Sequence, residues 1–447
     1  MNILIVGSGA REHAIAKAFK RSKHTVDLFC VGSSNNPGIQ ELTAGYTVGN
    51  ITDPGVVSEY AKENGFTLAI IGPEAPLETG VVDALQAIGI GCVGPTKQLA
   101  QLETSKSFTR NLLTKYNVPG MPKFQSFSSE EGLHLYLKSL SAGSGYVIKA
   151  DGLMSGKGVK VSGDHLATID EGVAYAKECI ERDGTVLIEE KLVGQEFSLM
   201  SFSDGVHLAH MPVVQDHKRA FENDEGPNTG GMGSYSDANH SLPFLTEKDI
   251  KDAQAINEAT AVAIQKEFGV GYKGILYGGF MATKGGVKLI EYNARFGDPE
   301  CMNILAILES DFVELCQAIV KGTLTKDHAQ FDHKATVCKY AVPEGYPDHP
   351  VKGRTISVPV IASKAKQSRT FPDSYYFAAV DQVDSQLIET GSRTIAVVGI
   401  ADTITEAEKI AETEIQKIQG PLFHRKDIGT QQLIQKRIDM MQQLRNG

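Results

Sequence analysis

Gly285-Gly-Val-Lys-Leu-Ile-Glu-Tyr-Asn-Ala-Arg-Phe-Gly-Asp-Pro-Glu300 begins as an apolar strand, Val287 to Ile290, and runs out through charged and amide side chains into a Gly-Asp-Pro turn. Side chains alternate across a strand, so Glu291, Asn293 and Arg295 share a face. A carboxylate and a carboxamide oxygen suit Mg²⁺, a hard cation that completes its shell with water and substrate phosphates. Arg295 adds a planar, permanently charged fork for phosphate or carboxylate. A lone Glu-x-Asn is commonly a solvated strand end. At the exit of a buried strand it stands where α/β proteins usually meet their ligands.

Upstream, the chain as far as Val93 alternates strand and helix signals: Ile3 to Val6, Arg11 to Phe19, Val26 to Val31, Val56 to Lys62, Leu68 to Ile71, Gly80 to Ala87, Cys92-Val93. Such alternation implies a parallel sheet wrapped by helices. The first turn, Gly7-Ser-Gly-Ala-Arg-Glu12, is half of a dinucleotide fingerprint, with Glu12 where a third glycine is needed, which argues against nicotinamide. Its backbone N–H groups and helix start are still suited to an anion. Pro73-Glu-Ala-Pro-Leu77 reads as a turn that sets Glu74 at another strand's carboxyl end.

Val118-Pro-Gly-Met-Pro122 marks an interdomain passage after a helix that starts at Thr104-Ser-Lys106. A second α/β unit follows. In it, Asp151-Gly-Leu-Met-Ser-Gly-Lys-Gly-Val159 lies between two strands and is a glycine-rich hairpin loop, not a Walker A loop. Gly152, Gly156 and Gly158 let backbone N–H groups approach an anion, and Lys157, Lys149 and Lys106 add charge. Beyond it come the strand Thr185 to Glu189, a polar loop from Asp216 to Gly233, a helix from about Thr246 to Phe268 and the hairpin carrying Glu291. A final portion shows short strand signals at Thr336 to Ala341, Tyr375 to Val380 and Thr394 to Val398, then a helix from about Glu406.

The 447 residues, 41% hydrophobic and 22% charged, suit a globular protein of several domains. A formal net charge of -10 argues against nucleic acid or an anionic membrane as partner. No apolar run reaches membrane-spanning length and Met1-Asn-Ile-Leu-Ile-Val-Gly7 enters a strand directly, so the expected location is the cytoplasm. The six cysteines form no Cys-x-x-Cys pair, which points away from zinc and disulfides.

The order of basic strand end, glycine loop, acid-rich strand exit Leu187 to Glu196 and Glu-x-Asn strand resembles the ATP-grasp superfamily. Within it the chain resembles the phosphoribosylamine–glycine ligase family. The resemblance rests on Arg11-Glu-His-Ala14, Gly72-Pro-Glu-Ala-Pro-Leu77, Lys149-Ala-Asp-Gly152, Gln215-Asp-His-Lys-Arg219, Pro227-Asn-Thr-Gly-Gly-Met-Gly233, Arg295-Phe-Gly-Asp-Pro-Glu300 and Arg425-Lys-Asp-Ile-Gly429.

This resemblance implies an α/β protein: a Rossmann-like parallel-sheet domain over 1–103, an ATP-grasp region over 104–324 with a mobile lid at about 121–190, and a C-terminal α+β domain over 325–447. It implies that ATP phosphorylates glycine and that the amine of 5-phosphoribosylamine attacks the glycyl phosphate, with Mg²⁺ or Mn²⁺ held by Glu291 and Asn293. Arg295 and Lys157 would act in catalysis. Lys106, Lys149, Gly152, Ser155, Gly156, Gly158, Glu189, Glu190, Leu192 and Glu196 would bind ATP. The substrates would meet Gly9, Arg11, Glu12, His13, Glu74, Asp216, Lys218, Asn228, Gly230, Gly231 and Asp298. A monomer or weak homodimer is expected. Two departures stand out: Ser33-Ser-Asn-Asn-Pro-Gly38 replaces a glycine-containing loop, with Asn35 read as keeping its left-handed backbone, and Tyr277-Gly-Gly-Phe-Met281 offers no further metal carboxylate. The rivals are an ATP-grasp ligase for another carboxylate and a nucleotide-binding regulator without catalysis.

Overall fold

The computed structural model describes residues 1–153, 158–362 and 369–447. The chain opens with a parallel five-stranded sheet in the order Gly45–Val48, Asp27–Gly32, Asn2–Val6, Leu68–Ile71, Gly91–Val93. Its strands are nearly continuous apolar runs because helices such as Ala10–Lys20, Pro54–Asn64 and Val81–Ala87 cover both faces. The strand order reverses between Asn2–Val6 and Leu68–Ile71, which opens a crevice between Gly7 to Gly9 and Gly72 to Glu74.

The segment after Gly120 forms a four-stranded sheet, Phe124–Phe127, Val186–Glu190, Tyr146–Ala150, Val159–Val161, backed by helices Leu133–Ser141 and Ile169–Asp183. It has its own core, including Leu137, Ile148, Ala176 and Ile188, separate from the main one. Tyr146–Ala150 and Val159–Val161 are antiparallel, as a hairpin requires.

A second four-stranded sheet runs Leu208–His210, Gly194–Asp204, Lys273–Thr283, Gly286–Asn293. The helix Glu247–Phe268 packs on it, started by Thr246, whose side chain caps the Asp249 N–H while the Asp249 carboxylate reaches back, and stopped by Gly269 at φ 70°. In the C-terminal part, Ala335–Pro343 pairs with Gly233–Ser236 on one side and Ile395–Ala401 on the other. The helix Ile404–Ile415 is tied down by the fully buried Lys339 ammonium, 2.7 Å from both Glu408 and Glu412.

Three local readings change. Pro73-Glu-Ala-Pro-Leu77 is the start of a helix, Glu74–Thr79, in which Pro76 sits within the first turn, where a missing N–H costs nothing. Tyr375 to Val380 splits into Tyr375–Phe377 and Val380–Val383, which belong to different sheets. Asn35 is not in the left-handed region; its neighbour Asn36 organises the loop, capping Gly38 and Ile39 and donating to Ser8 O at 2.9 Å and Phe377 O at 2.8 Å.

The crevice is held closed at its base by glycine. A Cβ on Gly72 would come within 1.9 Å of Glu12 Oε1, and Glu12 is itself pinned by the Gly9 N–H at 2.5 Å and Arg11 Nε at 2.7 Å. Gly72→Ala should therefore lower stability by about 1–3 kcal/mol through overpacking, read as a lower urea midpoint with unchanged m-value.

Candidate active site

Plain alternation does not aim Glu291. Val287 and Leu289 point into the core, and Glu291 has their parity. Opposite, Phe280 faces Leu289 and Gly279 faces Glu291, leaving Ile290 as an extra residue: a β-bulge. The bulge resets the alternation, so Tyr292 and Ala294 are buried while Glu291, Asn293 and Arg295 emerge together. Arg295 Nη2 donates to Asn293 Oδ1 at 3.2 Å.

Four cations surround Glu291. Burial would raise its carboxyl, but Lys218, Lys149, Lys106 and Arg295 together hold it below the usual range. Lys218 Nζ lies 3.5 Å from Glu196 and 3.9 Å from Glu291, and these acids raise its ammonium. Lys149 donates to Ile290 O at 2.8 Å. Lys106 opens the helix Lys106–Lys115 and donates to Gly152 O at 2.8 Å, while Asp151 accepts the Lys106 N–H at 2.6 Å. The structure thus brings together residues from the strand Tyr146–Ala150, the loop Asp151-Gly152 and the Glu-x-Asn strand.

Around the adenosine candidates the picture is mixed. Glu189 is buried between Arg110 and Lys149 and bonded to both, so its carboxylate is an internal counter-ion. Burial alone would raise that carboxyl, but the two cations lower it. Glu190 accepts the Lys123 N–H at 2.9 Å, Leu192 is half-buried in the connection to Gly194–Asp204, and Glu196 is exposed. Gly158 borders the glycine loop; Ser155, Gly156 and Lys157 lie outside the described residues.

The crevice of the first sheet meets this site through Arg295, which lies 3.3 Å from Glu74 and 3.2 Å from Glu103. Glu103 had no signal in the sequence. The helix start at Gly9 is not an open anion site, because the Glu12 carboxylate already caps it. Arg11, Glu12 and His13 are 8%, 2% and 2% exposed. Arg11 donates to Phe296 O at 3.2 Å, and His13 Nδ1 accepts the Phe377 N–H at 2.9 Å, so these residues brace the crevice from behind.

On the far side, Asp216 and Lys218 sit on a strap against which the Asn228 to Gly231 turn folds, Thr229 N donating to Lys218 O at 2.7 Å. Burial and the nearby Glu300 push the Asp216 carboxyl well up, against the pull of Lys218 and Arg393. Tyr277 Oη donates to Glu300. Asp298 accepts from Tyr340 Oη at 2.6 Å and pairs with Arg393 at 3.2 Å. Glu300 was inside the quoted string without a role; Arg393 and Tyr340 lie in short-strand regions that carry no motif.

Among the described residues no three His, Cys, Asp or Glu side chains cluster as a metal cage. An ionised Glu291 beside the Asn293 carboxamide, ringed by cations, fits a divalent ion that arrives with phosphates rather than alone.

A lid-like sheet and a Glu-x-Asn sheet facing one charged site, set on a parallel-sheet domain, define an ATP-grasp ligase. The descriptions "Phosphoribosylglycinamide synthetase, N domain", "ATP-grasp (A) domain" and "C domain" match residues 1–103, 104–301 and 336–431. The chain belongs to the phosphoribosylglycinamide synthetase family. It is 50% identical over 450 residues to the phosphoribosylamine–glycine ligase of Methanocaldococcus jannaschii, with 100% of both chains covered. It is 47% identical over 445 residues, again with 100% of both covered, to that of Methanosarcina barkeri. The crystal structure of phosphoribosylamine–glycine ligase from Thermotoga maritima matches with a TM-score of 0.79 at 29% identity, covering 96% of this chain and 100% of that one.

Burial would raise the Glu74 carboxyl, but Arg295 and Arg11 overcome it and hold it at about 2. A depressed carboxyl stabilises the fold above its unfolded value of about 4.3 and loses that contribution as pH falls toward 2. Glu74→Gln should therefore flatten the fall of the urea midpoint between about pH 5 and pH 2; an unchanged slope would dissociate Glu74 from Arg295.

Proposed function

We propose that the protein joins glycine to 5-phosphoribosylamine, cleaving ATP to ADP and phosphate and releasing glycinamide ribonucleotide for purine synthesis. The observation that carries this reading is the convergence of Lys106, Lys149, Lys218 and Arg295 on Glu291 in a chain of this family. These cations are held in place by acids, Lys149 by Glu189, Lys218 by Glu196 and Arg295 by Glu74 and Glu103, so a triphosphate entering with its divalent ion would meet preorganised positive charge.

In this reading the glycine carboxylate attacks the γ-phosphorus of ATP, and ADP leaves. The amine of phosphoribosylamine then attacks the acyl carbon of glycyl phosphate; the C–O bond to phosphate breaks, and the amine proton goes to a base. Glu291 and Asn293 would hold Mg²⁺ or Mn²⁺, which would neutralise the phosphates when bound. Arg295, preorganised by Glu74, Glu103 and Asn293, offers fixed charge to the transferring phosphoryl group. Lys106 and Lys149 are assigned to the same phosphates, together with Lys157, Ser155, Gly152, Gly156 and Gly158 of the glycine-rich loop. Glu189 would act behind Lys149, while Glu190, Leu192 and Glu196 line the nucleoside side. Glycine is assigned to Asp216, Lys218, Asn228, Gly230, Gly231 and Asp298, and the ribose phosphate to the crevice between Gly9 and Glu74, whose wall Arg11, Glu12 and His13 brace.

The reading takes residues 1–103, 104–324 and 325–447 as domains and about 121–190 as a lid, supported by that segment's separate core. It also takes the enzyme as a cytoplasmic monomer or weak homodimer, which light scattering checks for mass. Among the described residues no helix is long and apolar enough to cross a membrane.

The deciding experiment detects product by mass: glycinamide ribonucleotide should form only when ATP, glycine and phosphoribosylamine are all supplied, and alanine should not replace glycine. Product formation with a different carboxylate of equal efficiency would overturn the assignment. Glu291→Gln keeps size and removes charge; turnover should fall at least about 100-fold and demand more Mg²⁺, with the thermal midpoint preserved.

A further inference from the structure

Arg393 comes from the C-terminal domain, distant in sequence from every motif discussed, and its guanidinium reaches three segments at once. Nη1 donates to Gly230 O at 2.6 Å, to Gly231 O at 3.2 Å and to Asp298 O at 2.9 Å, while Nη2 lies 3.2 Å from the Asp298 carboxylate. Its planar face lies 4.7 Å from the centre of the Tyr340 ring, and Tyr340 Oη holds the other oxygen of Asp298. The backbone of Arg393 is fixed in turn, its carbonyl accepting the Ala379 N–H at 2.9 Å, while the next residue, Thr394, donates to Ala341 O at 3.0 Å.

The segments it joins fit each other with no slack. A Cβ on Gly231 would come within 2.6 Å of both Asp216 Oδ1 and Pro299 Cδ, so the Gly230-Gly231 turn is wedged between the Asp216 strap and the Asp298-Pro299 turn. Carbonyl oxygens from two loops repel one another when they converge. A guanidinium, with several N–H donors in one plane, can satisfy them together, whereas a lysine ammonium has neither the span nor the flat face to stack on tyrosine.

We propose that Arg393 is a positioning residue that assembles the glycine half of the site from the C-terminal domain, leaving the ATP half to the other domains. The inference rests on the functional reading above. Arg393 acts through the peptide groups of Gly230 and Gly231 and through Asp298, and touches neither nucleotide nor reacting atoms. Of its neighbours, Asp216 and Asp298 are the ones a small zwitterion's ammonium meets.

The test is steady-state kinetics of Arg393→Lys, Arg393→Gly and Tyr340→Phe beside the parent enzyme, varying each substrate separately. Displacing a turn by about an ångström costs on the order of 100-fold, so kcat/KM for glycine should fall about that much in both Arg393 variants, with KM for ATP within twofold. Tyr340→Phe keeps the ring and removes the bond to Asp298, and should show a smaller loss in the same direction. Because the Arg393 side chain retains 17% exposure, added guanidinium chloride at non-denaturing concentration should restore part of the glycine kcat/KM in Arg393→Gly and nothing in Arg393→Lys. A loss confined to phosphoribosylamine would make Arg393 a direct ligand and overturn the proposal. So would an equal loss for ATP, an unchanged glycine kcat/KM, or failure of guanidinium to rescue Arg393→Gly when its thermal midpoint matches the parent. Failure of the functional reading is distinguishable, since the parent enzyme itself would then make no product.

Discussion

Arg295 is the charge on which the arrangement turns. Its guanidinium is paired with Glu74 from the first sheet's crevice and Glu103 from the helix leading out of it, and it also holds the Asn293 amide. Each partner belongs to a different stretch of chain, so one side chain fixes the parallel-sheet domain against the Glu-x-Asn strand. A buried ion pair is weak support for net stability but strong support for a unique geometry when several partners must agree. Removing Arg295 would take from the buried Glu103 its ion-pair partner in a protein interior. The same fixed charge is what a phosphoryl group would meet, so rigidity of the domain junction and preorganisation of the site are one property.

Next in importance is the bulge at Ile290. It is what lets a strand bury Val287 and Leu289 and yet present Glu291 and Asn293 outward without crossing to a new element. The free carbonyl of that extra residue is then taken up by Lys149 and Arg110, so the irregularity is satisfied rather than strained. Lys149 in turn is balanced by Glu189. The sheet holding Tyr146–Ala150 and the Glu-x-Asn strand are therefore linked through a backbone oxygen that is free only because the ladder is irregular.

Much of this was legible in the sequence where one local signal sufficed. The long helix was read from about Thr246 to Phe268 and runs Glu247–Phe268, the alternating strand and helix signals from Ile3 to Val93 announced a parallel sheet, and the two strands around the glycine loop paired as a hairpin. Grouping Glu291, Asn293 and Arg295 on one face was right, but alternation alone would have put that face in the core; a bulge has no signature in residue types. Glu74 was found, yet its helix was missed because two prolines read as a turn. Arg11, Glu12 and His13 were legible as motif residues, but a motif does not say whether polar atoms point at a ligand or brace the wall behind it. Glu103, Arg110 and Arg393 were invisible because each acts on residues far away in sequence.

The pairing of Gln215–Asp216 with Gly233–Ser236, of Gly233–Ser236 with Ala335–Pro343, and of that strand with Ile395–Ala401, has a consequence for how the molecule is made. On a ribosome adding about 5–20 residues per second, the first sheet is complete once Val93 has emerged, and the sheet of Phe124–Phe127, Val186–Glu190, Tyr146–Ala150 and Val159–Val161 once Glu190 has. Gly233–Ser236 follows and pairs with Gln215–Asp216, but the strand that covers its other edge, Ala335–Pro343, is synthesised only well after that. A nascent chain thus passes through an interval in which the first two sheets have emerged while the edge of Gly233–Ser236 that Ala335–Pro343 will cover waits unpaired. Throughout that interval the half-built protein presents an open strand edge to its surroundings, and shielding it falls to chaperones or to the speed of translation.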